Sequence, residues 1–249
     1  MDVRVDRLAV VSPVSRPVGA SQAGGAFDEV YFTTVSNYAG RYDRYNPPHK
    51  IAGYLREIAR FHPRGRLLDA GCAFGRFLED ARRLYECEGV DISEYALRRA
   101  RARLPGVPLH HQAIQRFRPG RTFDVVTSFD VLEHIPDVDA ALASLRALLA
   151  PGGILAVAVP VYDTPPGWAF GVLDRDPTHL HRWGRHEWLA RLRAARLRPV
   201  VAKGILRAPL PGYFVHAIGR AFWWFSSAIL VICTADGADG PVVAPRAVR

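Results

Sequence analysis

Residues 67–78 join a strand, a glycine-containing loop and the start of a helix in one run, LLDAGCAFGRFL. The apolar residues end at Asp69, and small residues follow at Gly71, Ala73 and Gly75. The first amides of such a helix have no partner within it and carry partial positive charge, so they suit a ligand with a polar or anionic group. Dinucleotide-binding loops use the spacing G-x-G-x-x-G, which this loop does not have, because Ala73 takes the middle position. The run therefore predicts a cradle for a nucleotide-like cofactor.

Size and charge narrow the class of protein. A chain of 249 residues with 49% hydrophobic content can bury one large α/β domain. The net charge is +9, but Lys50 and Lys203 are the only lysines, and the arginines are spread over several predicted helix faces. A nucleic-acid partner is therefore not predicted. The three cysteines show no paired spacing, which favours a reducing cytoplasm.

The chain divides into four stretches by composition. Residues 1–26 hold prolines and glycines without periodicity and predict a flexible leader rather than a secretory signal. Residues 27–60 are rich in aromatic residues and predict N-terminal cap helices. Residues 61–235 form the main domain, with a loop insertion at 160–185, and residues 236–249 a loose tail. The apolar run before the last predicted strand is too short to span a membrane, which leaves a peripheral membrane contact open.

Strand and helix patterns alternate through the main domain. Strands are predicted at 66–70, 87–92, 107–111, 123–129, 154–159, 200–203 and 227–234, and helices at 76–85, 139–149 and 187–195, with a further helix after Ser93. This alternation predicts an α/β fold with a doubly wound, mostly parallel seven-stranded sheet and an N-terminal helical cap. Ligands of such sheets bind beyond the carboxyl ends of the strands, where Asp69, Asp91 and Phe129 fall.

Four segments of the chain match a known family in order and spacing: 68–75 (LDAGCAFG), 89–92 (GVDI), 123–135 (FDVVTSFDVLEHI) and 148–153 (LLAPGG). Over roughly residues 50–200 the chain thus resembles the class I S-adenosylmethionine-dependent methyltransferases. The resemblance implies the Rossmann-like methyltransferase fold and S-adenosylmethionine as cofactor, with S-adenosylhomocysteine as its product.

The resemblance also implies a set of cofactor-binding residues: Asp69, Gly71, Cys72, Ala73, Gly75, Asp91, Ile92, Gln112, Ala113, Phe129 and Asp130. Asp69 would hold the amino group of the methionyl part, directly or through a water, and Asp91 would accept from the two ribose hydroxyls. The alternative for Asp91 is a turn former at a strand end. Gln112 stands where the family often has an acid beside the adenine amino group, and its amide oxygen can still accept that hydrogen bond.

Two histidines are candidates for removing a proton from the methyl acceptor. His134 follows the fourth predicted strand, and its alternative role is capping or packing. His179 lies in a segment resembling the part of ubiquinone-biosynthesis-type O-methyltransferases that closes over the substrate. Glu133, His134, Asp176 and His179 could in principle gather a divalent ion, but no tight ligand spacing supports a metal site, and none is predicted.

Aromatic residues of the cap and the insertion suggest a ring-bearing acceptor. Tyr38, Tyr42 and Trp168 are the candidate substrate-binding residues, although they could equally pack the cap on the sheet. Residues 128–131 read Ser-Phe-Asp-Val rather than a motif that holds a flipped base, which disfavours nucleic-acid methylation. We therefore expect methyl transfer to a small molecule, most simply to a hydroxyl of a biosynthetic metabolite. The alternatives are N- or C-methylation and a non-catalytic cofactor-binding protein; the oligomeric state stays undetermined.

Overall fold

The computed structural model describes residues 27–36, 40–210 and 213–235. The predicted leader, the predicted tail and Tyr38 lie outside the described residues. Within them, one mixed sheet has the strand order β3-β2-β1-β4-β5-β8-β6-β7. Its strands are β1 (Gly65–Ala70), β2 (Tyr85–Asp91), β3 (Leu109–His111), β4 (Phe123–Phe129), β5 (Leu149–Pro160), β6 (Leu197–Leu210), β7 (Tyr213–Gly219) and β8 (Ala228–Ala235).

Helices pack on both faces of this sheet, and the first helices form the N-terminal cap. They are α1 (Tyr42–Tyr45), α2 (Pro48–Ala59), α3 (Arg76–Ala81), α4 (Glu94–Arg103), α5 (Val138–Ala147), α6 (Pro165–Leu173) and α7 (Arg185–Ala194). A π-helical turn at Tyr31–Val35 precedes them, and 3-10 turns lie at Ile114–Arg116, Leu132–His134 and Arg220–Phe222. Within the described ranges, no helix combines the length and apolar character that crossing a bilayer requires.

The predicted α/β class and its mostly parallel sheet are confirmed, while the predicted number of strands differs by one. Strands β1 to β5 are parallel, and β8, β6 and β7 follow with antiparallel pairing. The additional strand is β7, which pairs with the far half of a long β6. Since β7 is an edge strand whose residues are mostly half-buried, it shows no alternation of buried and exposed positions that the sequence pattern could reveal.

Successive residues of the central strands point to opposite faces, so the sheet has two cores. Leu68 and Val126 belong to the cluster that packs under α5 and α7. Their neighbours Leu67 and Val125 belong to the cluster under α2, α3 and α4. All four are fully buried, which explains why these strands read as continuous apolar runs and which fixes where their carboxyl ends lie.

The predicted loop insertion at 160–185 contains a helix, α6, and a segment that returns to the sheet. The Thr164 hydroxyl caps α6 by accepting from the Gly167 amide at 3.0 Å, and two prolines follow the cap. The amides of Leu180 and His181 donate to the Glu133 carbonyl at 2.9 and 3.2 Å. These two bonds hold the returning segment against the turn that follows β4.

Candidate active site

A cavity of about 820 Å³ opens at the carboxyl ends of β1, β2 and β4. Among the residues predicted to bind a cofactor, those that line it are Asp69, Gly71, Cys72, Ala73, Asp91, Ile92, Gln112, Ala113, Phe129 and Asp130. The remaining one, Gly75, ends the loop as the residue before α3, with a φ of 73°. A Cβ at Gly75 would clash with Leu104, so its contribution is to let the loop pack on α4.

The loop after β1 is held in a strained form by the end of β2. Gly71 and Ala73 have φ values of 87° and 43°, and a Cβ at Gly71 would clash with Val131. The Asp91 carboxylate accepts from the amides of Ala73 and Ser93, both at 2.8 Å. Burial raises the pKa of Asp91. Asp91 therefore joins the two strand ends and faces the cavity as an acceptor.

Asp69 is a buried carboxyl group at the end of β1. Its Oδ1 accepts from the Thr127 hydroxyl at 2.7 Å, and no ion pair found among the described residues involves it. Burial raises the pKa of Asp69 to about 7. A cationic group of a ligand in the cavity would give the Asp69 carboxylate an ion-pair partner.

Lys50, on α2, contributes a buried positive charge, opposite in sign to that of Asp69. The sequence had not identified it as a site residue. Its ammonium donates to Asn46 Oδ1 at 3.1 Å and to Asp130 Oδ2 at 3.3 Å, and burial lowers its pKa to about 8. Arg207, on β6, lies 2.8 Å from the other oxygen of Asp130. The one available signal was that Lys50 is one of two lysines in an arginine-rich chain. Asp69 and Lys50 together suit a group that carries both an amine and a carboxylate.

His134 lines the cavity from the 3-10 turn after β4. Its Nδ1 lies 2.9 Å from the Thr178 hydroxyl and 3.1 Å from the Thr178 carbonyl. The Thr178 hydroxyl donates to Asp176 at 2.6 Å, so its oxygen accepts from His134, and the proton of the imidazole sits on Nδ1. The other nitrogen, Nε2, is left as an acceptor. Burial lowers the pKa of His134 to about 4, which keeps the ring neutral.

His179 stands behind His134 and is not among the residues that line the cavity. The two ring centroids are 4.7 Å apart. His179 Nδ1 lies 2.6 Å from Asp174 Oδ2, which also accepts from the Tyr162 hydroxyl at 3.0 Å. Although burial opposes it, the hydrogen bond with Asp174 raises the pKa of His179. Of the two candidate catalytic histidines, the structure thus places His134 at the cavity and His179 in the layer behind it.

Glu133 completes a cluster with these histidines. One nitrogen of each ring and one Glu133 oxygen lie within 4.8 Å of one another. Glu133 Oε2 is buried, and no hydrogen-bond partner reaches it among the described residues; burial raises the pKa of Glu133 to about 8. Because an acceptor orients each ring through Nδ1, this donor set suits a divalent transition ion. The sequence predicted no metal site, since the spacing did not show that the fold gathers these three groups.

Comparison with known proteins agrees with this geometry. The sequence profile of the family described as "Methyltransferase domain" matches residues 42–205. The chain belongs to this family. Among curated relatives of the methyltransferase domain is a ubiquinone biosynthesis O-methyltransferase of Paramagnetospirillum magneticum, 33% identical over 130 residues, which cover 49% of this chain and 51% of the relative. Another ubiquinone biosynthesis O-methyltransferase, of Nitrosococcus oceani, is 30% identical over 171 residues, which cover 64% of this chain and 72% of the relative.

The chain spans about half the length of the first of these relatives. Solved structures share the fold of the methyltransferase domain at lower identity. The Burkholderia thailandensis 1,6-didemethyltoxoflavin-N1-methyltransferase has a TM-score of 0.61 and 20% identity, covering 90% of this chain and 95% of its own. A methyltransferase of Thermotoga maritima has a TM-score of 0.61 and 19% identity, covering 79% of this chain and 95% of its own. At these identities the likeness shows the fold.

The three predicted substrate-binding residues have different outcomes. Tyr42 lines the cavity of the methyltransferase domain and also packs in the cap, with its ring centroid 4.5 Å from that of Phe74. Trp168 is not among the lining residues, and 69% of its surface is exposed on α6. The structure therefore places Trp168 away from the cavity lining, and Tyr38 lies outside the described residues. The sequence had not assigned other aromatic residues that line the cavity, namely Phe27, Tyr31, Phe32, Tyr54 and Phe77.

Proposed function

We propose that this methyltransferase domain transfers a methyl group from S-adenosylmethionine to a hydroxyl of a small, ring-bearing metabolite. The observation that carries the proposal is the pair of opposite buried charges, Asp69 and Lys50, in a cavity that Asp91 also faces. The curated relatives named O-methyltransferases support oxygen as the acceptor atom, and the aromatic lining supports a ring.

The residues of the cavity fit S-adenosylmethionine part by part. Asp69 would hold the α-amino group, which gives this buried carboxyl group the cationic partner it lacks. Lys50 would hold the α-carboxylate while it keeps its contact with Asp130. Asp91 would accept from the ribose hydroxyls, and Gln112 from the adenine amino group. The cofactor supplies a methyl group already activated by its sulfonium sulfur. What is left to the protein is to align the acceptor with that methyl group and to exclude water.

The acceptor hydroxyl would lose its proton at the cluster of Glu133, His134 and His179. His134 Nε2 can accept the proton, but a pKa of about 4 makes this ring a weak base on its own. The Glu133 carboxylate, which lies beside the ring, would stabilise the positive charge that forms on His134, whereas a protonated His179 would oppose it. A divalent ion held by the same three residues would instead lower the pKa of the hydroxyl itself.

An assay with S-adenosylmethionine labelled at its methyl group tests the proposal. Phenols, catechols, aromatic amines and aliphatic alcohols serve as acceptors, and the expected result is transfer to a ring hydroxyl. Transfer to amines alone would favour N-methylation, and cofactor binding without transfer to any acceptor would favour a non-catalytic protein. Repeating the assay with EDTA separates the two ways of removing the proton, because only the cation-dependent reaction stops and recovers on adding a divalent metal.

A further inference from the structure

Helix α6 is apolar over its whole circumference and yet lies at the surface. None of its residues, Pro165–Leu173, is charged, and a single one, Gly167, is buried. Trp168 is 69% exposed and Leu173 is 74% exposed. A helix that is apolar on all sides is normally enclosed by protein or lipid, so in the part of the chain that the structure describes its cover is missing.

A second exposed apolar segment is fastened to the start of α6. It precedes β8 and contains Trp224, 71% exposed, and Phe225, 58% exposed. The Thr164 hydroxyl donates to the Ser226 carbonyl. Arg185 also donates to the Trp223 carbonyl at 2.6 Å and lies 4.7 Å from the centroid of the Trp224 ring. We call α6 together with residues 223–225 the apolar face.

The exposed charge around the apolar face is basic on balance. In residues 163–187, Asp174 and Asp176 are buried, while Arg175 and Arg182 are exposed. The two exposed acids are paired with arginines, Asp163 with Arg185 at 3.1 Å and Glu187 with Arg191 at 2.8 Å. In residues 213–227 the exposed charge is Arg220. Aromatic residues, above all tryptophan, favour the boundary between hydrocarbon and water, and arginines beside it attract anionic headgroups.

We propose that the apolar face docks the protein on the surface of a bilayer that contains anionic phospholipids. A second copy of the chain is the weaker occupant, because a symmetric contact would bring the same arginines together. Helix α6 follows the carboxyl end of β5, at the same edge of the sheet as the cavity, and Phe170 lies 6.3 Å from the His179 ring. Docking would therefore bring the cavity close to acceptors dissolved in the bilayer. The inference does not depend on methyl transfer, since vesicle binding needs neither cofactor nor acceptor.

Flotation of the full chain with vesicles tests the inference. We expect binding to vesicles of equal parts phosphatidylcholine and phosphatidylglycerol, weaker binding to phosphatidylcholine alone, and loss of the difference at high salt. Trp168→Ser combined with Leu173→Ser should lower binding to the mixed vesicles about tenfold or more, since both side chains lose apolar area. Arg175→Gln combined with Arg220→Gln should lower binding to the mixed vesicles and leave binding to phosphatidylcholine vesicles unchanged.

Leu84→Ser is the matched control, because Leu84 is an exposed apolar residue that precedes β2 at the opposite edge of the sheet. It should bind vesicles like the wild type. Binding of S-adenosylhomocysteine and thermal unfolding of each variant confirm that the cavity and fold are intact. Equal vesicle binding by the wild type and the Trp168 and Leu173 variant would overturn the inference. So would a dimer in solution that this variant abolishes, because the face would then belong to a second copy.

Discussion

The two halves of the cavity are built in different ways. The half assigned to the methyl donor is formed by the loop after β1 and the end of β2, and Asp91 reaches Ala73 only 18 residues away. The half assigned to the acceptor joins distant parts of the chain: His134 reaches Thr178 across 44 residues, and Tyr31 reaches Asp176 across 145. Apart from Lys50, which joins it from α2 and reaches Asp130 across 80 residues, the donor half is thus a local strand-loop-helix unit. The acceptor half exists only once the whole sheet and the insertion have folded.

The difference has a functional consequence. The donor half presents backbone amides and isolated carboxylates, which hold a ligand without changing it. The acceptor half instead gathers two imidazole rings and a carboxyl group within 4.8 Å of one another, with the pKa lowered to about 4 at His134 and raised to about 8 at Glu133. Such displaced pairs are typical of sites that move protons. We therefore expect donor-half substitutions to change cofactor affinity and acceptor-half substitutions to change turnover.

The largest expected effect is on the acceptor side. His134→Ala should lower kcat by about 10² or more, because a positioned acid–base group contributes about 10² to 10⁴. The dissociation constant of S-adenosylhomocysteine should stay within about threefold of the wild type, since His134 would face the acceptor. Steady-state kinetics and calorimetry give the two values. His186→Ala, at an exposed histidine of α7, is the control and should retain turnover; a turnover unchanged by His134→Ala would break the division of the cavity.

The next effect is on the donor side. Asp91→Ala should weaken binding of S-adenosylhomocysteine by about 100-fold, because hydrogen bonds to a charged group contribute about 1.5–3 kcal/mol each. The affinity of Asp91→Asn, which keeps one acceptor oxygen, should lie between those of the wild type and Asp91→Ala. Calorimetric titration measures both variants, with Asp139→Ala at an exposed acid of α5 as control. An Asp91→Ala affinity equal to that of the wild type would remove the ribose role.

The affinity for the cofactor should pass through a maximum with pH and fall by about tenfold on each side of it. Asp69 has a pKa raised to about 7, so protonation below pH 7 removes the charge that holds the α-amino group. Lys50 has a pKa lowered to about 8, so deprotonation above pH 8 removes the charge that holds the carboxylate. Affinity should therefore peak between these values and fall on both sides.

Two variants separate the limbs of this profile. Asp69→Asn should abolish the fall on the acid side. Lys50→Arg should extend the plateau on the alkaline side, because guanidinium does not titrate there. The α-amino group of the ligand also titrates near pH 8, so the role of Lys50 is taken from the difference between wild type and variant. Superimposable alkaline limbs would exclude Lys50 as the carboxylate partner.

The smallest expected effect concerns the adenine end of the donor half. Gln112→Ala should weaken binding of S-adenosylhomocysteine by about two- to tenfold, the range of one neutral hydrogen bond of about 0.5–1.5 kcal/mol. Gln112→Glu should bind at least as tightly as the wild type, since a carboxylate accepts more strongly. Competition binding with a fluorescent adenosine analogue resolves differences of this size. If Gln112→Glu bound more weakly than Gln112→Ala, the acceptor role of this position would be removed.

The donor half can be located from the sequence because its signals are local. A strand, a small-residue loop and a helix start occur in one run, and an acid closes the next strand. Lys50 and Arg207 could not be found in this way, because their contacts with Asp130 depend on how α2 and β6 pack on the sheet. Both His134 and His179 were candidates for removing the proton, since the number of residues between them does not show which ring lines the cavity and which lies behind it.

Two elements outside the cavity were missed for a related reason. Helix α6 has no polar side, so the periodicity that identifies a surface helix is absent, and the prolines and glycines of its sequence favoured a loop. Strand β7 gains its partner from the extension of β6 beyond the predicted 200–203. Both depend on what packs against them, or does not, rather than on their own sequence pattern.

We expect the cavity at the ends of β1, β2 and β4 to hold S-adenosylmethionine. Titrating S-adenosylhomocysteine into the wild-type chain by isothermal calorimetry tests it most directly, with NAD⁺ as the comparison ligand. We expect one S-adenosylhomocysteine bound per chain, about 100-fold weaker binding in Asp91→Ala, and no binding of NAD⁺. Absence of S-adenosylhomocysteine binding by a folded chain, or preference for NAD⁺, would contradict it.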